Sequence, residues 1–264
     1  KTQLGSTVQG AQSSGANLGS VVSAFKAFDV PYIINSLETS TKLFYPNGSL
    51  GGETVDELQS LMAKKNLRLL YVMPFEFRGI LTTEKTINSP ADMEGLKIRV
   101  TPSEVERSMI TELGSGATTL GISEVYTALQ TGTVDGLAIP PITAVAFGLH
   151  EVANNINLLN FQPHGSFMTV NARAWSKLPK DIQAKVQQAA DKAVQENIQV
   201  FESELTTALA KFKEQGVKVI QPSKQVQDEF AAIIQAPAAK IATQDFNSDE
   251  KHFFKTLQTA LDKI

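Results

Sequence analysis

Two arginines are the residues whose setting most demands a partner. Arg78 stands in Phe75-Glu76-Phe77-Arg78-Gly79 and Arg99 in Leu96-Lys97-Ile98-Arg99-Val100, both in runs of strand character. A guanidinium among apolar neighbours needs its charge met. One reading is a structural ion pair with an acid of the chain. The other is a bidentate clamp for a carboxylate, which the planar fork of arginine suits better than lysine. The residues alone leave both open.

Spacings that would carry other chemistry break off. His150-Glu151-Val152-Ala153-Asn154 begins like the zinc-protease motif, but Asn154 stands where the second ligand must be, and one imidazole cannot hold a catalytic zinc. It reads as a histidine at a helix end. Gly10 to Gly15 has the glycine spacing of a phosphate loop, with Ala16 in place of its lysine. Ser13-Ser14-Gly15 lacks the upstream glycine of a nucleophile elbow. His150, His164 and His252 are far apart, and the chain has no cysteine, which excludes thiolate catalysis, cysteine-ligated zinc and disulfides. No catalytic constellation, metal or cofactor is expected. An enzyme using Glu124 or Asp135 as a base is the weaker reading.

The elements that would position such residues alternate along the chain. Ser6–Ser13 reads as a strand running into a Gly/Ser loop, and Glu53–Lys65 as a helix followed by the strand Leu67–Val72. Pro90 marks a helix start, and Leu96–Val100 alternates as a strand does. Ser103 with Glu106 forms a capping box, with Gly114 past the far end of that helix. Ser123 caps a helix Glu124–Gln130, and Val134–Ile139 follows as a strand. This alternation predicts an α/β fold. Apolar residues recur every three to five positions from Ile182 to Phe212, which predicts one helix from about Lys180 to Gln215. At about 1.5 Å per residue it would be roughly 54 Å long, wider than one small domain. Two further helices follow, Ser223–Gln244 interrupted around Pro237, and Asn247–Ile264 with Glu250 in a second capping box.

The 264 residues, 42% hydrophobic and 19% charged, can bury a core as one or two domains. A net charge of −3 with no basic run argues against nucleic acid and against electrostatic membrane anchoring. The longest uncharged stretch, Thr2–Phe25, is too polar to span a bilayer, and Gly136–Leu149 is short and broken by Pro140 and Pro141. The start at Lys1 predicts a processed or trimmed chain, and the lack of cysteine suits a bacterial periplasm.

The run Asp92-Met93-Glu94-Gly95-Leu96-Lys97-Ile98-Arg99-Val100 precedes Ser123-Glu124-Val125-Tyr126-Thr127-Ala128-Leu129-Gln130-Thr131-Gly132-Thr133-Val134-Asp135-Gly136. Asn171, Trp175 and Leu178-Pro179 come next. In this order and spacing the chain resembles the extracytoplasmic substrate-binding subunits of TRAP (tripartite ATP-independent periplasmic) transporters. Phe28-Asp29-Val30-Pro31-Tyr32 and Gly216-Val217-Lys218-Val219 fit as well, so the resemblance covers essentially the whole chain.

The resemblance implies an α/β, two-lobed periplasmic-binding-protein-like fold with mixed, mostly parallel sheets and a long helix spanning both lobes. Lobe I would comprise 1–76 plus 164–202, and lobe II 77–163 plus 203–264. It implies a periplasmic protein that captures a small organic acid in the cleft and delivers it to the membrane subunits of a sodium-driven importer. A two-lobed ABC-linked or sensory carboxylate-binding domain is the alternative. Arg99 would pair with the ligand carboxylate, and Arg78 would give a second contact or order the first. The cleft would also receive Gln12, Ser13, Ser14, Ile122, Ile139, Pro140 and the stretch around His164. The acidic-sugar binders carry Gln-Glu-Asn where this chain has Leu137-Ala138-Ile139, and often an aromatic at the position of Ile122. That departure implies a ligand with one carboxylate and a compact or apolar body. In the family plan Lys1–Ser13 corresponds to a strand after a first strand–helix–strand–helix block. About 50 residues of lobe I are therefore expected to be missing from this sequence.

Overall fold

The computed structural model describes residues 1–5 and 7–264. The strands are β1 (Gly10–Ser14), β2 (Leu67–Val72), β3 (Glu76–Thr82), β4 (Lys97–Val100), β5 (Gly116–Thr119), β6 (Gly136–Ile139), β7 (Asn155–His164), β8 (Ser166–Asn171) and β9 (Lys218–Ile220). Most of them are rich in aliphatic and β-branched residues, whereas β1 is Gly-Ala-Gln-Ser-Ser. The α-helices are α1 (Gly15–Leu18), α2 (Leu37–Phe44), α3 (Glu53–Ala63), α4 (Glu104–Glu112), α5 (Ile122–Gln130), α6 (Pro141–Ala146), α7 (Ala172–Ser176), α8 (Lys180–Glu214), α9 (Lys224–Thr243) and α10 (Ser248–Leu261).

β8 pairs antiparallel with β1 and β2 in a three-stranded sheet. The second sheet has six strands in the order β5-β4-β6-β3-β7-β9. In it β4 runs parallel to β5 and β6, and β7 parallel to β9, while β3 is antiparallel to both its neighbours. The chain passes from the small sheet to the large one through Met73–Phe75 and returns through Gly165. The Met73 amide donates to the Ser166 carbonyl at 2.8 Å, tying the two passages together. Gly165 is required there, because a Cβ would run into the rings of Phe75 and Phe167.

α8 is one continuous helix of 35 residues, about 53 Å long, and it serves both sheets. Gln187 donates to the Leu70 carbonyl of β2 and Val194 enters the small-sheet core, while Phe212 is buried against the large sheet. The small-sheet core is built on fully buried phenylalanines, among them Phe25, Phe28, Phe44, Phe75, Phe167 and Phe253. Phe25 meets Phe167 edge-on at 4.9 Å between centroids, a geometry the ring quadrupoles favour. The large sheet is covered on one face by α4 and α9 (Val105, Met109, Phe230, Ile234) and on the other by α5, α6 and the end of α8.

Several local expectations change. The strand foreseen over Ser6–Ser13 forms from Gly10 to Ser14, where pairing with β8 begins, and Ser6 lies outside the described residues. The segment before it is held instead by Asn171, whose side chain donates to the carbonyls of Thr2 and Gln3. Pro90 opens a single 3-10 turn, Pro90–Met93. Pro237 does not interrupt α9: Phe230, Ile234, Ala238 and Ala242 keep one buried face through it, and that packing offsets the missing N–H. The cap of α5 is Gly121 and not Ser123, with the Glu124 carboxylate accepting from the Gly121 amide at 2.8 Å. α10, expected with the large sheet in the span 203–264, packs on α3, and its Phe253 and Leu257 complete the small-sheet core.

Candidate functional site

Three parallel strands end together, β4 at Val100, β5 at Thr119 and β6 at Ile139. The carboxyl ends of parallel strands open on a common crevice. Here they border a cavity of about 790 Å³, closed on its other side by the small sheet. Gln12, Ser13 and Ser14 of β1 line that side, and His164 and Ser166 line the crossing. From the large sheet come Arg78 on β3, Arg99 on β4, Ile122 at the start of α5, and Ile139 with Pro140 at the end of β6. The nine residues singled out from the sequence thus share one cavity. Of the aliphatic segment, only Ile139 faces it, since Leu137 and Ala138 alternate into the cores on either side of the sheet.

The two arginines differ in their partners. Arg99 is 5% exposed. Its Nε and Nη2 donate to the Leu120 carbonyl at 3.0 and 2.8 Å, which fixes one edge of the guanidinium. Among the described residues no acid pairs with it and no acceptor meets its Nη1. Burial holds its pKa below the ordinary value, with Glu106 opposing the shift and Arg78 adding to it. Arg78 has an acid of its own: Nη1 lies 3.2 Å from Glu106 Oε1 and donates to the Ala138 carbonyl at 3.0 Å. Glu106 is fully buried, and its Oε2 accepts from the Thr101 amide at 3.0 Å and from the Thr101 hydroxyl.

Glu106 therefore does not complete the expected capping box. Ser103 caps α4 through its hydroxyl, but the Glu106 carboxylate turns to Arg78 and Thr101. Ser103 Oγ donates in turn to Asp29, a buried acid whose pKa rises to about 7, chiefly through burial. His164 is pushed down to about 3 by desolvation, to which the Arg78 charge adds. The remaining wall is braced by hydrogen bonds. Tyr71 donates to Gln12 Oε1 at 3.1 Å, and Gln12 Nε2 donates to Ser166 Oγ at 2.8 Å. The Glu76 carboxylate accepts from the Thr143 amide and hydroxyl at the start of α6, and burial raises its pKa.

Glu106 and Asp29 were missed as members of this network. Glu106 looked like a capping residue, and Asp29 was visible only as part of Phe28–Tyr32. Phe147, 47% exposed at the cavity rim, gave no sequence signal because it lies at the end of a short helix. His150 sits in a 3-10 turn with its ring edge-on to Phe212, and among the described residues no three potential metal ligands cluster anywhere.

Residues 2–245 match the family model described as bacterial extracellular solute-binding protein, family 7. The chain is 30% identical over 195 residues to the C4-dicarboxylate-binding periplasmic protein DctP of Rhodobacter capsulatus, covering 74% of this chain and 56% of that protein. The first curated relatives it matches are all longer, and the chain spans 58%, 56% and 48% of their lengths. Its fold superposes on a TRAP periplasmic solute-binding protein from Desulfovibrio salexigens with bound orotic acid. That match has a TM-score of 0.91 and 20% identity, covering 99% of this chain and 82% of the other. A protein of the same kind from Anaerococcus prevotii, with bound D-glucuronate, gives a TM-score of 0.86 at 26% identity, with coverage of 99% and 82%. With that model matching nearly the whole length, the chain belongs to family 7 of the bacterial extracellular solute-binding proteins.

Proposed function

We propose that this chain captures a small organic acid in the cleft between its two sheets and works as the periplasmic receptor of a TRAP transporter, handing the acid to membrane subunits. The observation that carries the proposal is Arg99: a buried guanidinium, anchored on one edge by Leu120, with its other edge open to a cavity large enough for a small acid. The ligands named for the similar proteins, a C4-dicarboxylate, orotic acid and D-glucuronate, are all acids. Binding and release, not turnover, is the proposed activity. In this reading lobe I holds the small sheet and lobe II the large one, with α10 belonging to lobe I by its contacts. No helix among the described residues is long and apolar enough to cross a membrane.

Arg99 sets the orientation of the carboxylate, and Arg78, already engaged by Glu106, lines the same cavity. Ile122, Ile139 and Pro140 offer the acid an apolar wall. That wall favours a single carboxylate on a compact or apolar body, since each buried hydroxyl left unpaired would cost about 1–3 kcal/mol. Isothermal titration calorimetry with propionate, benzoate, orotate and glucuronate tests the reading. The expected order puts a compact monoacid ahead of glucuronate. Tighter binding of the sugar acid would overturn the specificity, and binding of none would overturn the function.

A further inference from the structure

Asp29 is a buried acid for which a carboxylate clamp has no evident use. It ends the 3-10 helix Ser23–Asp29, is 5% exposed, and its Oδ2 accepts from Ser103 Oγ at 3.0 Å. Its backbone carbonyl accepts from Gln162 Nε2. Among the described residues no donor pairs with Oδ1. That oxygen faces the chain next to the cleft-lining Ser14: a Cβ placed on Gly15 would stand 4.0 Å from it.

The elements packed on this 3-10 helix are α1, α4, α9, α10 and β7. α4 brings Ser103 and Glu106, and also Glu104, which pairs with Lys26 at 3.1 Å; Asp245, just past α9, lies 3.9 Å from the same lysine. β7 brings Gln162 and His164. α1 carries no charge, α9 adds the apolar Phe230 and Ile234, and α10 adds Phe253 and Leu257, its buried Glu250 capping its own first turn. The charges that act on the Asp29 carboxyl are Arg78, which lowers its pKa, and Glu106, which raises it. Burial outweighs both and sets the value at about 7.

With both acids ionised, Asp29, Glu106, Arg78 and Arg99 form a neutral buried set, and His164, its pKa pushed down to about 3, adds no charge near neutrality. A carboxylate arriving at Arg99 makes that set negative by one. Net charge in a poorly solvated site is expensive, and a titratable group answers it by changing protonation. Glu106 accepts from three donors, Arg78 Nη1 and the amide and hydroxyl of Thr101. Glu76, a half-buried acid that the Arg78 charge also reaches, accepts from two, the amide and hydroxyl of Thr143, whereas the Asp29 carboxylate accepts from one.

We propose that a proton binds at Asp29 together with the ligand carboxylate, so that the cleft takes up an anion and a proton as a neutral pair. The proton comes from solvent to the free Oδ1, and no other bond is made or broken. This rests on the carboxylate reading of the cleft and adds to it the control of affinity by pH.

The test is calorimetry near pH 8 in phosphate and in Tris, buffers whose ionisation enthalpies differ. It uses the tightest binder among propionate, benzoate, orotate and glucuronate. The expected uptake is about 0.3–0.9 proton per carboxylate bound, with affinity falling by up to about tenfold per pH unit above neutrality. Asp29→Asn, of the same shape and neutral, should bring the uptake below about 0.1 and make affinity flat with pH. Carbon-13 NMR of the Asp29 carboxyl in the unsubstituted chain gives an independent reading: its titration midpoint should move up when the same acid is added. Binding without proton uptake overturns this proposal and leaves the cleft reading standing. So does uptake that survives Asp29→Asn, or uptake lost only in His164→Gln. If none of the four acids binds, the cleft reading fails and this proposal fails with it.

Discussion

Arg78 and Arg99 are both buried in one cavity, yet the two side chains answer to different demands. Arg99 has no acid partner among the described residues, so in the proposed function its ion partner is the ligand. Arg99→Ala should therefore weaken acid binding by about 2–5 kcal/mol while thermal stability changes little, and Arg99→Lys should also weaken it because the fork is lost. Removing Arg78 strands the fully buried Glu106 carboxylate. Arg78→Ala should cost about 3–5 kcal/mol of folding stability, measured by urea unfolding. If Arg99→Ala unfolded the chain and Arg78→Ala affected only binding, the two roles would be reversed. Two other residues give opposite pH signatures. Asp29, raised from 3.8 to about 7, binds its extra proton in the folded state, so its contribution is full at low pH and lost as pH rises through about 7. His164, lowered from 6.5 to about 3, is the reverse: the unfolded chain binds the extra proton, and stability is lost as pH falls from 6.5 toward 3. Asp29→Asn should then gain most over the parent chain near pH 8, and His164→Gln near pH 4. Stability curves that moved in the same direction for both variants would contradict these assignments.

At the scale of elements, the connections between the sheets are the sensitive parts. Gly165→Ala pushes a methyl into Phe75 and Phe167 at the passage between the sheets. It should destabilise by about 1–3 kcal/mol or more, read as a lower denaturation midpoint. Pro237→Ala should do the opposite, adding about 1–3 kcal/mol by restoring an N–H inside α9, since the helix already runs straight through. These cases also mark what could be read from the sequence. α8 was legible because its apolar spacing persists for 35 residues between a proline and a glycine. The bounds of α9 were legible, but not its continuity through Pro237, because local propensity says nothing about four buried residues on one face. The partner of Arg78 was hidden: Glu106 lies 28 positions away and has a local explanation as the third residue after Ser103. For α10 the amphipathic pattern shows that one face is buried but not against which core, and the contact of Phe253 with Phe28 decides it. The cleft positions follow from the family resemblance and not from periodicity, which cannot place residues as distant as Gln12 and Ile139 around one cavity.

For the whole molecule, the question is whether the two sheets melt as one body. Several contacts argue that they do. Phe28 belongs to the small-sheet core and Val30, two residues on, to the core under α4 and α9, while Ile33 packs against both. α8 contributes Val194 to one and Phe212 to the large sheet's other face, and Met73 pairs with Ser166 across the two passages. An interface crossed by a shared helix, two passages and a continuous apolar strip leaves neither sheet a boundary at which to unfold alone. Calorimetry should then show a single transition. A ligand that binds only the folded chain stabilises it by about 2.7 kcal/mol at a hundredfold excess over Kd, and for a chain of this size that moves the midpoint by about 5–10 °C. Because the cavity proposed for the acid is lined from both sheets, by Gln12 and Ser14 on one side and Arg99 and Ile139 on the other, the whole transition should move together. Arg99→Ala should abolish that shift without splitting the peak. Two resolved transitions, only one of them moving with added acid, would mean that the sheets fold independently and that the acid sits on one of them alone.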